Sequence, residues 1–154
     1  MLALKLLAIL GTGVVAGVFF AFSSFVMKAL ARLKPSEGII AMQSINITVI
    51  NPLFMTTLFG TAVLCIFLAV LSMLKWHQLS SIYLLLSCLL YIFGTVGVTV
   101  VFNVPLNDAL AKVTPNSTEA AEVWDNYLTN WSLWNHVRTI AALLATLFLL
   151  IALA

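Results

Sequence analysis

Four long apolar stretches constrain this chain more than any other feature of its sequence. They run over residues 6–27, 52–74, 80–102 and 134–154, and none contains an acidic residue. A helix needs about 20 apolar residues to cross a bilayer. Hydrophobic residues make up 63% of the chain and charged residues 8%, against roughly 45–50% and 25% in a soluble domain. The sequence therefore predicts an all-α integral membrane protein, one domain over residues 1–154, whose four spans pack as a helix bundle.

The residues that flank these stretches predict where the helices begin and end. The first stretch is too long without a charge to belong to a signal peptide, and no small-residue cleavage site follows it, so we expect it to be retained. Asn51 and Pro52 predict the start of the second span, as an N-cap and a first-turn proline. Residues 75–78 predict a tight polar turn, which makes the second and third spans an antiparallel hairpin. Asn116 and Glu119 predict the start of the helix that leads into the fourth span.

Small residues inside the spans predict close packing. Gly13, Gly17 and Ala21 recur at every fourth position of the first span. Such a ridge lets a neighbouring helix approach closely in lipid, although chance spacing is the alternative. Cys65 and Cys88 lie in apolar stretches and form no C-x-x-C motif, so we expect small buried side chains and no redox or zinc site.

Two longer polar connections, residues 28–49 and 103–133, lie on one side of the membrane because two spans separate them. We expect short interfacial helices in both. Basic residues favour this side as the cytoplasmic one. The connections and their flanks hold Lys28, Arg32, Lys34, Lys112 and Arg138, whereas the opposite side holds Lys5 and Lys75. The net charge of +2 is scattered without a basic cluster. We therefore expect the lipid bilayer, and no nucleic acid, as a partner.

One face of the last helix carries an unusual set of side chains. At 100° per residue, Trp124, Trp131, Asn135 and Arg138 fall within an arc of roughly 60°, whereas His136 points nearly the opposite way. The chain after Arg138 provides only about 24 Å of helix, so Arg138 lies just inside the membrane. A charge at that depth is expected to face the bundle interior or a wet cavity, and such residues are often functional. The alternative is that Arg138 snorkels to the interface, beside an ordinary tryptophan belt.

Further amides flank the other spans on the same side. Asn103 and Asn107 surround Pro105 after the third span; the simpler explanation is that Pro105 stops the helix and an asparagine caps it. Gln43 and Asn46 share a helix face before the second span, which an interfacial helix with a solvated polar face also explains. Together with Asn135 and Arg138, these residues predict a pocket between helices, polar at its mouth and apolar below.

The same residues carry a family resemblance. The matching features are Met42-Gln43-x-x-Asn46 before Asn51-Pro52, Asn103-x-Pro105-x-Asn107, and Trp131-x-x-Trp134-Asn135-x-x-Arg138 with Trp124 upstream. On these features the chain resembles, over essentially its whole length, the anthrone oxygenase-like family of small four-span membrane proteins. The resemblance implies this fold and, for some relatives, oxidation of anthrones to anthraquinones by O₂ without a cofactor.

The side chains are chemically compatible with that reaction. Loss of a proton from the acidified CH₂ of an anthrone gives a delocalised anion that can reduce O₂ directly. We predict that the catalytic residues that hold the developing oxyanion are Arg138, Asn135, Asn103 and Asn107. We predict that the residues that bind the flat substrate are Trp124, Trp131, Trp134, Gln43 and Asn46. No metal and no other cofactor is expected.

The proton acceptor is the open question of this hypothesis. His136 faces away from Arg138 in a regular helix, and nothing in the sequence favours Asp108 or Asp125. The leading hypothesis is an oxygenase of an anthrone-like or quinone-like aromatic. The first alternative is a non-enzymatic membrane accessory or lipophile-binding protein. The second is a structural bundle in which the polar residues only cap helices and join span ends.

Overall fold

The computed structural model of the chain describes residues 1–74 and 78–153. These residues form five helices and no strand: α1 (Leu2–Leu30), α2 (Pro35–Thr48), α3 (Pro52–Met73), α4 (Leu79–Ala111) and α5 (Ala120–Ile151). All but α2 are long and apolar enough to cross a membrane. The prediction of an all-α membrane bundle is confirmed, and the protein is a multi-pass membrane protein. Residues 75–77 of the predicted polar turn lie outside the described residues.

The four long helices pack in a ring. α1 contacts α3 and α5, and α4 contacts the same two helices. One buried cluster fills the ring, with Val15, Leu68, Tyr91 and Leu149 among its members. A second buried cluster joins α2 to the ends of α1, α4 and α5. The second cluster places the first connection over one end of the bundle.

The two long connections differ in form. The first contains α2 as a separate helix, which begins at Pro35. In the second, the helical residues are continuous with α4, which reaches Ala111, and with α5, which begins at Ala120. The start predicted at Asn116 and Glu119 is therefore a few residues early, and Glu119 makes no side-chain capping bond. Asn51 does cap α3, because its Oδ1 accepts from the Phe54 N–H at 3.0 Å.

The simpler explanation of Asn103 and Asn107, in which Pro105 stops the third span, is wrong. α4 continues through this proline, and Asn103 has helical backbone angles with no side-chain capping bond. Two π-helical segments, Leu90–Gly97 and Thr99–Asn103, precede the proline. In a regular α-helix, a proline lacks the N–H that would bond to residue i−4, and its ring clashes with the carbonyl of that residue. A π-helical turn uses bonds to residue i−5 in place of this pattern. The helix can therefore pass the proline and carry Asn107 onward.

The predicted glycine ridge does not form a continuous contact. A Cβ on Gly13 would lie 3.9 Å from the Thr146 Cγ2 of α5, but Gly17 does not face a neighbouring helix. Gly17 is exposed, and a Cβ placed on it would meet no described atom within 4 Å. The close approaches occur at Gly11 and Gly94 instead. A Cβ on Gly11 would overlap the Thr61 hydroxyl of α3, and one on Gly94 would lie 2.6 Å from the Ala141 Cβ of α5. The small residues that matter are those that face a neighbouring helix, and spacing along one helix does not reveal which face that is.

Candidate functional site

An inner cavity of about 220 Å³ lies at the end of the bundle that α2 covers. Apolar side chains from all five helices form most of its lining, including Phe19, Phe22 and Trp131. The rest of the described lining is polar and consists of Asn46, Thr99, Asn107 and Arg138. None of the described lining residues is acidic. The cavity therefore combines aromatic surfaces with a few hydrogen-bonding groups and one cation.

An outer groove of about 590 Å³ adjoins the inner cavity. Asn46, Ile50, Val104 and Asn107 line both spaces, so these residues form a shared wall between the two. Gln43 and Asp108 line the groove and do not line the cavity. The groove gives the apolar cavity a polar approach.

Arg138 is buried, with 4% of its surface exposed. Its Nη2 donates to Asn135 Oδ1 at 2.7 Å and its Nη1 to Thr99 Oγ1 at 3.3 Å. The guanidinium carbon lies 4.2 Å from the ring centre of Phe19 and 5.0 Å from that of Trp131. Both hydrogen-bond partners are neutral, and Nε has no partner among the described residues. A guanidinium has five N–H donors, so donors remain for an acceptor in the cavity.

Asn135 fixes the position of that guanidinium. Its Nδ2 donates to the Phe19 carbonyl at 2.9 Å and to Ser23 Oγ at 2.8 Å, while its Oδ1 accepts from Arg138. Thr139 Oγ1 lies 2.8 Å from the Asn135 carbonyl and 2.9 Å from Ser23 Oγ. Because both N–H groups of the amide are used, Asn135 acts through Arg138 and offers no donor of its own to a ligand.

Asn107 is held by two aromatic side chains. The Trp131 indole N–H donates to its Oδ1 at 2.8 Å, and the Tyr127 hydroxyl donates to the same oxygen at 2.7 Å. The amide nitrogen of Asn46 lies 3.4 Å from the Tyr127 oxygen. Tyr127 was not predicted as a site residue, although it lies at the edge of the predicted helix face. Its role depends on α2 and α4, which periodicity within α5 cannot show.

The remaining predicted residues are not brought to the inner cavity. Asn103 is fully buried and donates to the Trp131 carbonyl at 3.2 Å. Gln43 donates to the carbonyls of Leu110 and Val113 at the end of α4. Two tryptophans also lie elsewhere. Trp124 is buried behind Tyr127, with ring centres 5.8 Å apart, and Trp134 stacks on Phe102 at 3.6 Å. Trp131 is therefore the predicted tryptophan that lines the cavity.

The candidate proton acceptors lie in different places. Asp108 lines the outer groove next to Asn107. Asp125 is exposed and lines neither the groove nor the cavity. His136 is exposed and lines a separate pocket between α1 and α5, as its predicted orientation requires. Within residues 1–74 and 78–153, no three His, Cys, Asp or Glu side chains are grouped so that they could hold a metal ion.

Comparison with known proteins gives one match. No curated protein and no solved structure matches the chain. The sequence model of the family described as anthrone oxygenase matches residues 53–148, which is more than half of the chain. The matched range contains Asn107, Trp131 and Arg138, the residues at the centre of the site. The chain therefore belongs to the anthrone oxygenase family.

Proposed function

We propose that the protein is a cofactor-independent oxygenase that oxidises an anthrone-like or quinone-like aromatic substrate with O₂ in the inner cavity. The observation that carries the proposal is the environment of Arg138. A buried guanidinium with neutral partners faces an apolar, aromatic cavity. An uncompensated charge is costly there, and a substrate that develops a negative charge offsets that cost.

The reaction needs only a base, O₂ and a site for an anion. An anthrone carries a carbonyl across its central ring from a CH₂ group. Removal of one CH₂ proton moves the electron pair onto the carbonyl oxygen. The anion passes one electron to O₂, and the resulting radical and superoxide join at the CH carbon as a hydroperoxide. Loss of water from that group leaves a second carbonyl, so CH₂ and O₂ give C=O and H₂O.

Each lining residue has a role in this scheme. Arg138 and the amide nitrogen of Asn107 donate to the developing oxyanion, and they are held in place before the substrate arrives. Phe19 and Trp131 provide ring surfaces for a flat substrate. The apolar lining lowers the local dielectric constant, which strengthens the contacts to the oxyanion.

Asp108 is our candidate for the proton acceptor. It is the described carboxylate that lines the groove next to the cavity, and its neighbour Asn107 lines both spaces. Asp125 and His136 line neither. A general base needs to be within hydrogen-bond reach of the proton or one water molecule away. We propose that a water molecule in the groove relays the proton from the cavity to Asp108.

Oxygen uptake by the detergent-purified protein with a panel of anthrones tests the proposal. We expect uptake and quinone absorbance above the spontaneous rate, and loss of the excess in Arg138→Ala. Arg32→Ala, which removes an exposed arginine outside both spaces, is the matched control and should keep full activity. Folded protein that shows no uptake above background across the panel would contradict the proposal.

A non-enzymatic lipophile-binding protein is the second candidate. It is favoured by the inner cavity itself, whose described lining residues include no carboxylate and no histidine. Such a protein would bind quinones and anthrones equally, and it would consume no O₂. Quenching of tryptophan fluorescence by a quinone, weakened in Arg138→Ala, together with a background rate of O₂ uptake, would favour this candidate.

A further inference from the structure

A second pocket of about 220 Å³ lies between α1 and α5, and we call it the rear pocket. Phe22 lines both the rear pocket and the inner cavity. Ser23 also lines the rear pocket, and it accepts the hydrogen bond from the Asn135 amide that holds Arg138. The rear pocket is therefore a separate space on the other side of the wall that positions the guanidinium.

The lining of the rear pocket combines two basic side chains with an apolar base. Lys28 and His136 are exposed at the pocket, and Ser23 and Ser132 add two hydroxyl groups. Phe22, Met27 and Leu128 contribute apolar surface. No acidic residue is among the described lining residues. This set suits a molecule that joins a phosphate anion to a hydrocarbon chain.

The pocket also lies where the charge-free apolar run of α1 ends, which is the expected level of the lipid headgroups. Lys28 ends the charge-free apolar run of α1, and Arg32 and Lys34 follow it within two turns. Basic residues next to the cytoplasmic end of a span attract anionic lipids. A free anion would use the basic groups alone, whereas a phospholipid would also use the apolar base.

We propose that the rear pocket binds the headgroup of an anionic phospholipid. Lys28 and His136 donate to the phosphate ester, the Ser132 hydroxyl donates to one of its remaining oxygens, and the first carbons of an acyl chain lie along Phe22 and Met27. The proposal does not rest on the oxygenase activity, because a bound lipid needs no turnover. It also accounts for a basic pair that the inner cavity does not use.

Native mass spectrometry of the full chain, equilibrated with equal amounts of phosphatidylglycerol and phosphatidylcholine, tests this site. We expect phosphatidylglycerol to be retained over phosphatidylcholine, whose choline cation would lie beside these basic groups. The expected ratio is about fivefold, the factor that one basic residue near a membrane surface provides. Lys28→Gln and His136→Gln, alone and combined, should bring the ratio towards one, whereas Lys28→Arg should keep it. Lys112→Gln removes an exposed lysine outside the pocket and should leave the ratio unchanged.

Equal retention of the two lipids by the unmodified protein would overturn the proposal. A loss in Lys112→Gln as large as in the combined variant would do the same, because it would show a general charge effect. Inorganic phosphate at millimolar concentration distinguishes the two sources of the anion. We expect it to leave phosphatidylglycerol bound. Displacement would overturn the proposal, because it would show that the pocket holds the phosphate group alone and makes no use of the acyl chain.

Discussion

Among single residues, Trp131 fixes the direction of a chain of hydrogen bonds. An indole N–H can only donate, so the Asn107 atom that it meets at 2.8 Å is the oxygen. The Tyr127 hydroxyl shares that oxygen and must also donate to it, so Asn46 meets Tyr127 with its nitrogen. The amide nitrogen of Asn107 is then its available donor. With Arg138, it makes the inner cavity rich in donors, which suits a ligand with carbonyl or anionic oxygens.

Arg138→Met separates function from stability at this residue. A long apolar side chain removes the cost of the buried charge, which often leaves stability unchanged or raises it. We expect a melting temperature no lower than that of the unmodified protein, with loss of anthrone-dependent O₂ uptake. If the melting temperature falls sharply, Arg138 is a structural residue that joins Asn135 to Thr99, and the purely structural hypothesis gains support.

Asn107→Asp tests the predicted donor. The new carboxylate keeps an acceptor for Trp131 and Tyr127, but it removes the N–H donors and adds a negative charge to the cavity. We expect kcat to fall by roughly 10²–10³, the usual effect of losing one oxyanion donor, measured as O₂ uptake. Asn126→Asp makes the same exchange at an exposed position of α5 and should not change the rate. Equal rates for the two variants would contradict the assigned role.

Asp108→Asn tests the proton acceptor against a matched carboxylate. General base catalysis typically contributes about 10²–10⁴ to a rate, so we expect a loss within that range in steady-state O₂ uptake. Asp125→Asn removes an exposed carboxylate that lines neither space, and it should behave as the unmodified protein. Full activity in Asp108→Asn would show that stabilisation of the anion is sufficient or that water accepts the proton.

At the scale of helices, the site depends on the π-helical segments. Phe22–Val26 in α1 follows the carbonyl that Asn135 binds, and Thr99–Asn103 in α4 begins at the hydroxyl that Arg138 binds. π-helical turns are rare and are often found at functional sites. Sequence periodicity assumes 100° per residue throughout, so it cannot detect them. For this reason the alternative in which Pro105 stops the third span was wrong, whereas the inward face of the regular helix α5 was predicted well.

Gly94 lies at a close approach between α4 and α5. Gly94→Leu would push a side chain into Ala141, whose Cβ lies 2.6 Å from the position of a Cβ on Gly94. Overpacking typically costs about 1–3 kcal/mol, and we expect a lower melting temperature and a lower yield of folded protein. Gly17→Leu is the control, since Gly17 is exposed and has open space around it. A greater drop in melting temperature for Gly17→Leu than for Gly94→Leu would support the predicted glycine ridge.

At the scale of the whole molecule, the sequence was sufficient for the fold and for part of the site. Long apolar runs allow few structures in a membrane, so α1, α3, α4 and α5 could be predicted from hydrophobicity alone. The inward face of Arg138 followed from helix geometry, since Arg138 is buried, whereas its depth in the membrane stays a prediction. The partners that each side chain contacts on the other helices could not be predicted from helix geometry. Trp134 and Trp124 have the chemistry of a binding site, but Trp134 stacks on Phe102 and Trp124 lies behind Tyr127.

Membrane orientation is the prediction that belongs to the whole chain. Arg138 is buried in the bundle, so it no longer counts towards the basic residues of the connections. Lys28, Arg32, Lys34 and Lys112 remain there, and they favour long connections on the cytoplasmic side. Cys65 and Cys88 are fully buried, so cysteines placed at exposed sites can be labelled selectively.

Glu37→Cys, Ser117→Cys and Gln78→Cys report the two long connections and the opposite end of the bundle. With a membrane-impermeant maleimide, we expect Gln78→Cys to react in intact cells. Glu37→Cys and Ser117→Cys should react only after the membrane is permeabilised. The reverse pattern would keep the four-span fold and invert its orientation. Different accessibility of Glu37→Cys and Ser117→Cys would exclude the four-span topology, because an even number of spans must place both connections on one side.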